Sequence, residues 1–153
     1  MNLVKCTLLM FILSTAFVPE AAFSQSKKIA VYIEATSPDS VGQQLVYEMR
    51  EKMASSSHLA EADSDAKSFF QLRIVTLDPG TTGGYGQQFT VYSVVLTGTP
   101  LDGRSGLFYL DQWVGTCGST RVTECAAQII AGADADMTPI IQSLRAGSQS
   151  IGK

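Results

Sequence analysis

Apolar and polar positions alternate along this chain in a way that divides it into six elements after a leading apolar stretch. "KKIAVYIEA" (27–35) is a compact apolar run rich in β-branched residues and predicts a strand buried on both faces or nearly so. "TSPDS" follows as a helix start, with Ser37 as the cap and Pro38 at the first helical position. Val41, Leu45, Met49 and Met53 then recur every four residues, which predicts an amphipathic helix over 38–54. Gly42 falls inside it and, by propensity alone, weakens it by about 1 kcal/mol relative to alanine. "SSSHLAEADSDAK" (55–67) reads as a polar connection.

Three further strands are predicted, "SFFQLRIVTLD" (68–78), "QQFTVYSVVLTGT" (87–99) and "GLFYLDQWVGT" (106–116). The turn-rich links between them, "PGTTGGYG" (79–86) and "PLDGRSG" (100–106), favour antiparallel hairpins. The last element keeps helical phase from Val122 through Ala126, Ile129, Ala133, Met137 and Ile140 to Leu144. That phase runs through Gly132 and Pro139, so one helix over about 120–145 is expected, kinked near Ala135. The alternative is two helices, the second starting near Asp136 with Pro139 in its first turn.

The resulting order is β-α-β-β-β-α. A crossover makes the first two strands parallel and the rest a meander. The expected fold class is therefore α+β: a two-layer sandwich with a four-stranded mixed sheet and two helices on one face. The opposite face is expected to carry Gln71 and Arg73, Thr90 and Tyr92, and either Tyr109, Asp111 and Trp113 or their neighbours. Both faces of the last strand carry aromatics, so its phase stays open.

The amino terminus changes the picture of where the chain works. Lys5, the apolar run 6–18 and "PEAAFS" (19–24) form the three regions of a secretory signal. The structural alternative, a buried amino-terminal helix, explains neither the charge order nor the small residues before Gln25. A thirteen-residue run is too short to anchor in a bilayer, which needs roughly 20 apolar residues. Cys6 stands at the head of the run, where a lipidated cysteine would follow it. The expected organisation is a signal peptide at 1–24, a single α+β domain at 25–147 and a flexible tail at 148–153. Cleavage near Ser24-Gln25 would leave a periplasmic or secreted bacterial protein with no stable membrane anchor.

A formal charge of −3, and no Lys/Arg cluster beyond Lys27-Lys28, argue against nucleic acid as a partner. Candidate chemistry centres on "WVGTCGSTRVTECAAQII" (113–130). Cys117 and Cys125 survive processing, and export favours a disulfide stapling strand end to helix start. The loop is short, so the chain-entropy gain is about 2.5 kcal/mol. The rival is a reactive Cys117 thiolate beside a helix start, with Arg121 holding it or an anion. Neither the C-x-x-C redox spacing nor the Cys-Arg phosphatase spacing is present. Zinc lacks ligands, with only the lone His58 beside the two cysteines, so no metal and no cofactor are expected.

The glycines of 78–86 precede a strand and not a Lys-bearing helix, which makes them a hairpin loop in preference to a phosphate cradle. Asp63/Asp65 and Asp134/Asp136 lack a calcium-loop pattern and read as solvated surface. No nucleophile elbow is present, and no catalytic set emerges.

The phrases "IVTLDPG", "VYSVVLTGTP" and "GTCGSTRVTECAAQII" resemble those of a set of small uncharacterised bacterial exported proteins. The element order is more loosely similar to the TolB amino-terminal domain and curli-secretion-type periplasmic domains, and that similarity implies fold alone. Together these readings predict a non-enzymatic periplasmic binding or interaction module with a partner in the cell envelope. Its contact residues are expected at Tyr92, Tyr109 and Trp113, with Arg121 as a candidate anion contact. The alternatives are an enzyme using a thiol or anion pocket at Cys117–Arg121, and a cell-envelope assembly subunit.

Overall fold

Alternation decides which side each strand buries. In a computed structural model that describes residues 28–82, 88–100 and 106–150, strand β1 (Ile29–Thr36) turns Val31 and Ile33 into the core. Helix α1 (Ser40–Ser55) follows and buries Val41, Leu45, Val46, Met49 and Met53, the four-residue recurrence in the sequence with Val46 added. Its cap is Asp39, with Ser37 and Pro38 both outside the helix. Asp39 wins because its carboxylate serves two purposes. Oδ1 accepts the Gly42 N–H at 2.6 Å, while Oδ2 accepts the hydroxyls of Thr76 (2.6 Å) and Thr90 (3.2 Å).

The stretch expected as a polar connection contains a strand, β2 (Leu59–Glu61). It pairs parallel with β1, Ile29 with Leu59 through Val31 with Glu61, and buries Leu59 completely. Strand β3 (Phe70–Leu77) lies parallel to β1 on its other side, and β4 (Phe89–Gly98) and β5 (Phe108–Gly118) complete an antiparallel meander. Among the described residues the sheet therefore has five strands, not four, in the order β2-β1-β3-β4-β5. Three residues at an edge are too few to show a period, which is why this strand is silent in the sequence.

Helix α2 (Val122–Ser150) is a single helix with Pro139 inside it, entered through a 3-10 turn at Ser119–Arg121. It passes the expected end at 145 and enters the stretch read as the tail. Its apolar stripe, including Ala126, Ile129, Ala133 and Met137, is buried, and that packing outweighs the hydrogen bond Pro139 removes. Both helices cover the same face of the sheet, side by side, over Phe70, Leu72, Ile74, Val94 and Leu96. The result is a two-layer α+β domain. The expected signal segment lies outside the described residues.

Two assignments to the uncovered face are corrected. Thr90 is fully buried on the helix side, where it meets Asp39. Tyr92 packs against the core on that same side, across Gly115 of β5. Gln71 and Arg73 do lie on the face opposite the helices; Gln71 is nevertheless buried there, while Arg73 is exposed and paired with Glu34 of β1 at 2.9 Å.

The phase of β5 is split by a bulge. Leu96 pairs with Asp111 but Thr97 pairs with Tyr109, leaving Leu110 unmatched. Asp111 and Trp113 consequently face the helices, while Tyr109 faces out. Trp113 is half-buried against the core, with α2 approaching it at Gly132.

Candidate functional site

Among the described residues, no helix covers the side of the sheet opposite α1 and α2. Cross-strand pairing arranges it in rows: Leu77, Val91 and Thr116; then Thr36, Val75, Ser93 and Val114; then Glu34, Arg73, Val95 and Gln112. Val75 (54 % exposed), Leu77 (60 %) and Val114 (68 %) leave much of their apolar surface in water, and Tyr109 (62 %) stands at the other end. β-Branched residues are here because a pleated sheet favours them, yet nothing among the described residues covers them. Of the three aromatics expected on this face, only Tyr109 is there. The exposed apolar residues missed in the sequence, Val75, Leu77 and Val114, alternate with residues that turn inward. They read equally well as core until the helices are placed.

An open hollow of about 270 Å³ lies at the Tyr109 end, lined by Asp65, Gln71, Arg73, Thr99 and Leu107. A second, about 330 Å³, lies beside α1 between Ala35, Ser37, Gln43, Tyr47 and Arg50. Both are wide toward solvent and carry no convergent set of reactive groups.

The cysteines settle into structure. Cys117, fully buried on the inner face of β5, is bonded to Cys125 in α2, with their Cα atoms 6.2 Å apart, inside the range a disulfide spans without backbone movement. Arg121 is exposed and forms a two-pronged pair with Glu124, Nε to Oε2 at 2.8 Å and Nη2 to Oε1 at 2.7 Å. Those hydrogen bonds, and then the charge attraction, hold the Glu124 carboxyl below its usual range and raise Arg121 further. The candidate pocket at Cys117–Arg121 thus has neither a free thiol nor an unpaired guanidinium.

Two acidic contacts join α2 to other elements. Asp136 hydrogen-bonds Asp111 of β5, and its carboxyl is raised by burial first, then by that bond and by repulsion from Asp111. Asp134 Oδ2 lies 3.5 Å from His58 Nδ1, just ahead of β2, while its Oδ1 is buried without a hydrogen-bond partner. Among the described residues no three His, Cys, Asp or Glu side chains gather as metal ligands, and no helix is long and apolar enough to cross a membrane.

Neither a protein-family model nor a curated protein matches this chain.

Proposed function

We propose that the chain is an exported, non-enzymatic binding domain of the bacterial periplasm that meets a protein of the cell envelope through the uncovered face of its sheet. The observation that carries the reading is the exposed apolar set Val75, Leu77 and Val114 on a face that the two helices leave bare. Exposed apolar residues grouped on one face of a folded domain favour a contact surface there. The secretory pattern at 1–24 and the resemblance to small bacterial exported proteins support the location.

The test is site-specific photocrosslinking in intact cells. A crosslinker at Val75 or Leu77 should yield a discrete adduct that one at Glu51, on the exposed side of α1, does not. Equal labelling from both faces, or none from either, would refute the reading.

A further inference from the structure

The geometry points to the outer edge of β5 as a pairing edge for a second copy of this chain, the two strands running antiparallel about a two-fold axis at Val114. This rests on the reading that the sheet, and not the helices, presents the contact surface.

The backbone argument comes first. Ser119 N–H donates to the Gln88 carbonyl at 2.8 Å, at the register position just beyond the Phe89–Gly118 pair. In an antiparallel ladder the bonded residues alternate, so Cys117, Gly115, Trp113 and Asp111 direct their N–H and C=O groups toward β4. Gln112, Val114 and Thr116 direct theirs away from the sheet, and all three residues are exposed. Among the described residues no strand flanks β5 on that side.

The edge is also unguarded. Sheets protect their edges with Lys, Pro, bulges or short strands. Gln112–Gly118 contains no charge and no proline, and the Leu110 bulge marks only its lower end. The opposite edge is treated differently. There β2 is three residues long, and its Glu61 is held by Arg50 of α1 at 3.0 Å.

A second copy fits this edge better than an arbitrary strand because β5 complements itself. With the axis at Val114, that residue opposes Val114 of the second copy, and Gln112 opposes Thr116. On the inner face Trp113 opposes Gly115, large against small, and Asp111 opposes Cys117. No like charges meet, and the Val75–Ser93–Val114 row continues unbroken into its copy. Such a pairing supplies about six backbone hydrogen bonds. A strand pair alone falls short of the roughly 1,200 Å² of a stable interface, so a weak, concentration-dependent dimer is expected.

The experiment is sedimentation of the processed, disulfide-intact chain over a wide concentration range. The parent should shift from monomer to dimer, Val114→Thr should behave like it, and Val114→Lys, which sets two like charges across the axis, should remain monomeric. An unchanged unfolding midpoint for Val114→Lys shows that the fold is intact. Oxidised Val114→Cys should crosslink to itself, whereas Tyr47→Cys, on the exposed side of α1, should not. Amide exchange at Gln112, Val114 and Thr116 should slow as concentration rises, with Trp113 and Gly115 unaffected.

A parent that stays monomeric to its solubility limit would overturn the proposal, as would a dimer indifferent to Val114→Lys. An envelope partner captured at Val75 by a chain that never self-associates defeats this inference and leaves the binding-domain reading standing. Self-association with no captured partner does the reverse.

Discussion

Two glycines inside helices should respond to alanine with opposite signs. Propensity alone says that either replacement strengthens its helix by up to about 1 kcal/mol. At Gly42 the structure forbids it. A β-carbon there would stand 2.6 Å from Asp39 Oδ2 and 2.6 Å from Thr76 Cβ, and closer still to Thr76 Oγ1. These atoms are the centre of the contact that caps α1 and ties it to β3. Relief requires moving α1 away, which weakens the cap (about 1 kcal/mol) and a hydrogen bond to a carboxylate (about 1.5–3 kcal/mol).

Against the propensity gain, Gly42→Ala should cost about 1.5–3 kcal/mol net. At Gly132 the added carbon would sit 3.5 Å from the Trp113 ring, an ordinary contact distance, so Gly132→Ala should stabilise by about 0.5–1 kcal/mol. Urea unfolding of both variants under non-reducing conditions measures the pair. The penalty at position 42 should shrink when Thr76→Ala is added, since the nearest obstructing atom is then gone. A Gly42→Ala chain as stable as its parent would refute the account of how α1 is seated.

The other predictions concern the disulfide, the Asp136–Asp111 pair and the cap. Replacing both Cys117 and Cys125 by alanine should lower stability by about 2.5 kcal/mol, and alkylation of the native, unreduced processed chain should modify neither. Two modified thiols in that assay would remove the staple. Because the folded chain raises Asp136, stability from this group is fully present below the ordinary aspartate value of 3.8 and is lost as pH rises through the raised folded value. Asp136→Asn should therefore stabilise the domain at neutral pH and flatten the pH profile there. Solvent screening at this partly exposed pair keeps the gain to about 0.5 kcal/mol. A destabilised Asp136→Asn at neutral pH would show that the pair is not strained. Asp39→Ala should cost about 2 kcal/mol and speed amide exchange at Gly42, whereas Asp39→Asn, which can still cap, should lose less.

What the sequence discloses depends on how many residues carry each signal. The long stripe of α2 spans about six turns, so its phase survives Gly132 and Pro139, and the single helix is legible. β1, β3, β4 and β5 each contain enough alternation to be found, and their order implies the parallel pair and the meander. β2 offers one buried residue, Leu59, and leaves no pattern.

The cap choice between Ser37 and Asp39 rests on Thr76 and Thr90, which are distant in sequence and come together only in the fold. The candidate surface fails for a similar reason. Tyr109, Asp111 and Trp113 stand two apart and ought to share a face, but one unmatched residue, Leu110, separates them, and no glycine announces the bulge. The disulfide is readable because it is local and the spacing excludes its rivals.

The position of β1 in the sheet has a consequence for how the chain reaches its fold. Pairing β3 with β4 or β4 with β5 closes short loops, starting from Leu77 with Val91 and Gly98 with Phe108. Pairing β1 with β3 must bring Val31 to Phe70 across all of α1 and β2. Loop-closure entropy places that step later and makes it slower. The first strand in the chain would thus be among the last to dock, and until it does, the inner edge of β3 is as bare as the outer edge of β5.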